Sequence, residues 1–336
     1  MTLDASPRLA MQAPALPAIV IGGYLGSGKT TLVNRLLRAA NGERLGVLVN
    51  DFGDVAIDAA LIEARDGDVL SLAGGCVCCS FGADLVGALR TLAQRDPPVD
   101  RIVIETSGVA LPRAVAQTAR LAPAIAVEAI IVIADGETVR RRARDRYIGE
   151  MVLQQLREAD LIVLNKLDLV AAAGESSDVE AVRTWLQQIA AGVPIVDATH
   201  ADVAPALALE PPAAAAARVT DAALSPLRRR SMRISNGGNM PAAERFDCAT
   251  LDCGSGVDVA ALAGTLVEPI YGVLRAKGIV RDRSGAWHAI QTVGARACIS
   301  QPPSASDPRA GRLVVIGLRG RLDVPALARA IGVAPG

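Results

Sequence analysis

Gly23-Tyr24-Leu25-Gly26-Ser27-Gly28-Lys29-Thr30 fits the phosphate-binding pattern G-x-x-x-x-G-K-[ST] at every position. Gly23, Gly26 and Gly28 let the backbone curl so that its N–H groups point inward at phosphate oxygens, and a helix start adds positive dipole. Lys29 supplies a point charge for the β- and γ-phosphates, and the Thr30 hydroxyl can ligate Mg²⁺. Ser27 and Thr31 belong to the same nucleotide-contacting stretch. A glycine-rich turn matching by chance is the bland alternative, and the context argues against it. Ala18–Ile21 ahead of the loop is a short apolar run of the kind a buried strand makes, and Thr31–Leu37 behind it carries apolar residues at helical spacing.

Two further segments extend the site. Arg101-Ile102-Val103-Ile104-Glu105 reads as a strand ending in a carboxylate, followed by Thr106-Ser107-Gly108. Glu105 can hold a water of the Mg²⁺ shell, and the Gly108 N–H can approach the γ-phosphate closely. Lys29, Thr30, Glu105 and Gly108 are therefore the expected catalytic set. Asn165-Lys166-Leu167-Asp168 follows the apolar run Leu161–Leu164. An ionised Asp168 is acceptor-only and can take both N–H groups that guanine presents at N1 and N2, where adenine offers neither. Sites that leave buried polar groups unpaired with the wrong ligand discriminate by ~10⁴–10⁵. Asn165 is expected to tie the base loop to the phosphate loop, and the Lys166 stem to cover the base face. The nucleotide expected is GTP, with Mg²⁺. No arginine finger or water-positioning glutamine is assignable, so unaided turnover is expected to be slow.

Gly74-Gly75-Cys76-Val77-Cys78-Cys79 is the second strong signal. Three thiols behind a glycine pair can converge on one soft cation, and thiolate-rich sites favour Zn²⁺ or Cu(I) over Mg²⁺. Three ligands and an open position suit a metal that must be exchanged. Asp51, in Asn50-Asp51-Phe52-Gly53-Asp54, is a candidate fourth ligand or a residue ordering the attacking water. The cluster falls between the phosphate loop and Glu105, where GTPases rearrange with the γ-phosphate. Cys248, Cys253 and Cys298 read better as small buried hydrophobes, and Trp287 as core.

The elements that must position these groups follow from composition and pattern. The chain has 336 residues, 51% hydrophobic and only 2% aromatic, so its core is built from Ala, Val, Leu and Ile, as buried parallel strands tend to be. Lys+Arg and Asp+Glu are both 35, leaving no net field to favour nucleic acid or an anionic membrane. The first residues lack a signal-peptide layout, and Glu128 interrupts the best apolar run, Ile125–Ala134. A soluble cytoplasmic protein with reduced thiols is expected, engaging neither nucleic acid nor membrane.

Residues 1–17 read as a loose leader. From 18 to 199, strand-like runs (Ala18–Ile21, Leu45–Asn50, Asp68–Leu72, Arg101–Glu105, Val127–Ala134, Leu161–Asn165, Pro194–Val196) alternate with helical stretches. This predicts an α/β P-loop domain with a mostly parallel sheet, helices on both faces, and ligands at the carboxyl ends of strands. The Pro-, Ala- and Gly-biased stretch 200–240 reads as a linker. Residues 241–336 alternate strand patterns with two helices, the second opened by Asp323 as N-cap, and predict a smaller α+β domain. The arginine run Arg140-Arg141-Arg142, with Arg144 and Arg146, is expected to be a solvated helix face.

These motifs together resemble the CobW-type GTPases, a family of GTP-dependent metal chaperones and insertases. The resemblance rests on Gly23–Thr30, Asn50–Asp54, Cys76–Cys79, Glu105–Gly108 and Asn165–Asp168. In the last part it rests on Leu274–Gly278, Trp287–Gln291 and Arg312–Gly317. It implies GTP hydrolysis coupled to binding and delivery of Zn²⁺ or Co²⁺, with Cys76, Cys78 and Cys79 as ligands and a C-terminal domain that helps recognise a client metalloprotein. The acidic segment departs from the family in carrying Asp51 and Asp54 where glutamates are usual, and no histidine-rich tract is present. The competing readings are a P-loop phosphotransferase acting on a small molecule, and a GTP-binding redox or regulatory adaptor.

Overall fold

The computed structural model describes residues 15–40, 42–50, 69–72, 81–172, 176–209, 246–302 and 310–333. Asp51, the Cys76–Cys79 cluster and the 210–240 part of the expected linker lie outside the described residues. Two sheets organise the rest. The first has seven strands: β1 (Leu16–Gly22), β2 (Leu45–Asn50), β3 (Val69–Leu72), β4 (Arg101–Glu105), β5 (Ile125–Asp135), β6 (Leu161–Asn165) and β7 (Ile195–Asp197). Their order is β3-β2-β4-β1-β5-β6-β7, and every pairing is parallel.

Side-chain alternation assigns the two faces. On one, Ala18, Val20, Ile102 and Ile104 pack against α2 (Phe81–Ala93), α3 (Pro112–Ala119), α5 (Gly149–Arg157) and α7 (Ser176–Ile189). On the other, Ile19, Ile21, Val103 and Ile131 meet α1 (Lys29–Arg38) through Leu32, Val33 and Leu36. Each such aliphatic side chain contributes about 1.5–3 kcal/mol on burial. The expectation of helices on both faces needs one amendment. Of the described helices α1 alone contributes to this second cluster; the rest of the face is covered by residues 198–209 and by Leu274, Val293 and Ile316 of the second unit. Two further helices are short: α4 (Val139–Ala143), where the arginine run was expected to form a helix face, and α6 (Leu167–Ala172), which was not anticipated.

The second sheet contains β8 (Phe246–Asp252), β9 (Ser255–Val257), β10 (Val273–Asp282), β11 (Trp287–Val293), β12 (Arg296–Ser300) and β13 (Arg312–Leu318). Its main path is antiparallel, β12-β11-β10-β13-β8, and β9 pairs parallel with β10. Helices α8 (Val259–Leu266) and α9 (Val324–Ala330) pack on it, capped by the carboxylates of Asp258 and Asp323, which accept from Ala261 N and Ala326 N at 3.0 and 2.9 Å. Trp287 is half-buried rather than core, with the Arg281 guanidinium 5.6 Å from its ring centroid.

The second unit docks toward the amino ends of the parallel strands. A β-bulge drops Glu128 out of the β1–β5 register. Its carboxylate accepts from the fully buried Arg101, which also donates to Glu43 at 2.9 Å, and lies 3.8 Å from the buried guanidinium of Arg275 on β10. Burial pulls Arg101 down, but Glu128 and Glu43 more than restore it. The Arg275 guanidinium makes no hydrogen bond among the described residues, and burial, aided by Arg101, pushes it down to about 10. Nearby, Asp160 accepts from Ile130 N at 2.8 Å, and its backbone carbonyl accepts from Ala295 N at 3.1 Å in the β11–β12 turn.

Candidate functional site

The phosphate loop leaves β1 at Gly22 and enters α1 at Lys29, with Gly23, Gly26 and Gly28 at φ 134°, 72° and 110°. These left-handed values are what L side chains avoid. A Cβ on Gly28 would also stand 2.5 Å from the Asn165 amide nitrogen. Lys29 is buried, with its ammonium 3.5 Å from the Tyr24 carbonyl, so it folds back over the loop. Ser27 is buried with no partner for its hydroxyl, and Thr31 points to solvent from the first turn of α1.

Glu105 ends β4, in register with Ile21 of β1 on one side and Val49 of β2 on the other. It is 1% exposed, and its Oε1 accepts from the Thr30 hydroxyl at 2.7 Å. A hydroxyl and a buried carboxylate held this close beside the lysine are the oxygen donors a hard cation takes, so the residues present fit Mg²⁺. Gly108 follows in a turn pressed against the phosphate loop; a Cβ there would lie 2.6 Å from Leu25 N.

The base corner is assembled two strands from β1, at the end of β6. Asn165 is 2% exposed and acts as a hub: its Nδ2 donates to Ser27 O at 2.9 Å and its Oδ1 accepts from Ala201 N at 2.7 Å. The expected tie between base loop and phosphate loop is present, with a second tie to the loop after β7 that sequence reasoning missed. That loop bends sharply, with His200 and Ala201 both at positive φ, and is fixed by Arg35 donating to His200 O at 2.8 Å. Asp168 Oδ1 is a buried acceptor with no hydrogen-bond partner among the described residues. An orphaned carboxylate oxygen is costly, and it fits the paired N–H groups of guanine. Lys166 stands at φ 62°, and its ammonium pairs at 2.9 Å with Asp135, the buried last residue of β5. Asp135 also accepts from Glu137 N at 3.1 Å, so it anchors both the Lys166 side chain and the entry to α4. Its position at the end of the expected strand Val127–Ala134 was the only sequence signal.

The described cysteines behave apart from this site. Cys253 is buried and its thiol is pushed up to about 11, by burial first and then by Asp252; burial also raises Cys248. Cys298 is only half-buried on β12. Among the described residues no group of three or more His, Cys, Asp or Glu is placed to hold a metal. The arginine run is only partly solvated. Arg141, Arg144 and Arg146 are exposed, but Arg142 donates to Leu25 O of the phosphate loop at 2.7 Å, with its guanidinium 4.7 Å from the Tyr24 ring centroid.

A phosphate-loop turn over the central strand and an orphaned carboxylate oxygen two strands away give the layout of a P-loop NTPase. Residues 17–197 match the CobW/HypB/UreG nucleotide-binding domain, and residues 250–333 match the Cobalamin synthesis protein cobW C-terminal domain. The chain belongs to the CobW/HypB/UreG family and is a GTPase. Zinc chaperone CobW of a Sinorhizobium species is 31% identical over 94% of this chain and 96% of its own length. Zinc-regulated GTPase metalloprotein activator 1 of Schizosaccharomyces pombe is 30% identical, over 55% of this chain and 46% of that protein. The Zn(II)-bound YjiA GTPase of E. coli aligns with 95% of this chain and 98% of its own, at 20% identity and a TM-score of 0.44.

Proposed function

We propose that this GTPase is a metallochaperone that binds Zn(II) or Co(II) through Cys76, Cys78 and Cys79 and hands it to a client metalloprotein in the cytoplasm. The supporting observation is topological. Asp51 directly follows β2, and the cysteine segment links the end of β3 to the start of α2. Those strands are the next two beyond β4 in the sheet, so both segments leave it at the edge where Thr30 and Glu105 meet. Relatives named as zinc chaperones and a zinc-regulated metalloprotein activator support the same reading. Among the described residues no helix is long and apolar enough to cross a membrane.

In this reading Lys29 and the loop N–H groups hold the phosphates, Asp168 takes the guanine edge, and Gly108 offers its N–H to the terminal phosphoryl oxygen. Thr30 and Glu105 hold Mg²⁺, which when bound neutralises charge on the phosphate oxygens. Loss of the terminal phosphate releases the segments after β2 and β3, loosening the thiolate site so that the metal transfers. The unit spanning 241–336 recognises the client. Linkage requires metal and GTP to tighten each other's binding by the same factor.

Metal analysis of the reduced protein, with and without a non-hydrolysable GTP analogue and repeated on Cys78→Ser, tests the reading. Stoichiometric zinc that binds tighter with the analogue and is lost in the variant is expected. Equal zinc content and affinity in every arm would overturn it.

A further inference from the structure

The helical excursion between β5 and β6 touches both sides of the expected terminal-phosphate position, and nothing above assigns it a role. Helix α5 buries Gly149, Val152, Gln155 and Leu156, one face at helical spacing. Gln155 therefore occupies a core position that an apolar side chain would fill without losing water from an amide. It is 1% exposed, and its Nε2 donates to Gly108 O at 3.0 Å and to Ala110 O at 2.8 Å. Both partners are carbonyl oxygens, so the NH₂ end of the amide must face them, and both its donors are used. One turn further on, the buried Glu158 accepts from Arg113 N at 3.0 Å, at the start of α3. Gln155 thus grips the Gly108 turn at two backbone points, and Glu158, at the end of α5, holds the start of α3 at a third. Across the gap, Arg142 of α4 holds the crest of the phosphate loop through Leu25 O and the Tyr24 ring. The two held segments are in close contact, Gly108 having no room for a Cβ against Leu25.

We infer that Gln155 is a positioning residue for GTP hydrolysis: with Arg142 it forms a brace within the chain that fixes the Gly108 turn against the phosphate loop. Gln155 touches no phosphate. It fixes the Gly108–Val109 peptide, so the backbone arrives in its reactive arrangement without having to be ordered during the reaction. The inference rests on reading Gly108 as a terminal-phosphate contact. GDP has no terminal phosphate, so its binding should be insensitive to the loss of Gln155 from the brace.

Gln155→Leu keeps the volume and removes both donors. Single-turnover GTP hydrolysis is expected to slow roughly tenfold, the effect of one or two neutral hydrogen bonds, while the Kd for a fluorescent GDP stays within about twofold. A merely structural role would move GDP affinity and Tm together with the rate, and that result would overturn the inference, as would an unchanged rate. If Gln155→Leu does not fold, Arg142→Ala, at a half-exposed site, carries the test: about threefold slower hydrolysis with a smaller loss of GDP affinity is expected, and no change in rate overturns the brace. Gly108→Ala separates the two readings. If Gly108→Ala hydrolyses GTP normally, the Gly108 contact is wrong and the brace falls with it. If only Gly108→Ala is slow, the brace is wrong, because a Cβ at 108 displaces the Leu25 backbone whatever Gln155 does.

Discussion

Strand β4 carries a buried charge at each end, and the two ends have opposite fates. Arg101 at the amino end is 0% exposed and Glu105 at the carboxyl end 1%. Arg101 is balanced by permanent partners, Glu128 and Glu43, in a seam closed by the second unit. Glu105 meets the hydroxyl of Thr30, beside a loop whose groups suit ligands that come and go. Burying a charge is costly at either end. At one end the chain itself offsets the cost; at the other, the Mg²⁺ of the proposed function would complete the offset. The sheet thus keeps its assembly contacts and its exchangeable contacts on opposite edges, with four peptide links of one strand between them.

The comparison breaks most visibly at the sealed end. Arg101→Met leaves the buried Glu128 and the half-buried Glu43 without the cation that hydrogen-bonds them, and urea unfolding should register a loss of roughly 3–5 kcal/mol. A loss below about 1 kcal/mol would mean the seam is wetter than described. Arg275→Met in the same seam should be neutral or mildly stabilising, because that guanidinium makes no hydrogen bond among the described residues and burial already depresses it. At the exchangeable end, Glu105→Gln can still accept from Thr30, so the fold should hold while kcat for GTP falls about 100-fold, about 2.7 kcal/mol. A variant as active as the parent would remove Glu105 from the chemistry.

Asp168→Ala should weaken GTP by about 1.5–3 kcal/mol, the usual worth of hydrogen bonds to a charged group, and inosine triphosphate, which lacks the N2 amine, by less. Equal losses for the two nucleotides would mean that Asp168 does not read that amine. The smallest effect belongs to Asp160. Burial first of all holds its carboxyl above the ordinary 3.8, against the opposing pull of the Ile130 N–H and Arg296. A raised acid favours folding at low pH; that contribution is complete below 3.8 and is lost as pH rises through the folded value. Asp160→Asn, which can still accept from Ile130 N, should therefore gain stability relative to the parent as pH rises above 3.8. Parallel stability curves would show that the carboxyl titrates normally.

Legibility in the sequence followed the range of the interactions. The phosphate loop, Glu105 and Asn165 announce themselves because their roles need particular residue types at fixed spacing beside strands of strong apolar pattern. The strands of the parallel sheet were readable for the same reason, including β5 despite Glu128. What escaped depends on contacts between segments distant in the chain. Gln155 looks like any polar helix residue until α5 is packed beside Gly108, 47 positions away. Arg142 is one arginine among five until the loop after β5 is folded under Leu25. The burial of Arg275 is likewise invisible in its own stretch of sequence, because it depends on Arg101 and Glu128 of the other sheet. The 199–202 bend carries no motif; Asn165 selects it through one backbone N–H.

Gly294 gives the seam a further meaning. It sits at φ 56°, and a methyl group there would come 1.7 Å from the carbonyl oxygen of Asp160. The tightness of fit between the two units therefore hinges on hydrogen standing where any other amino acid would place carbon. Descendants of this gene that drift to alanine at that codon would be wedged open, and any protein that grips both halves at once would meet a differently shaped handle.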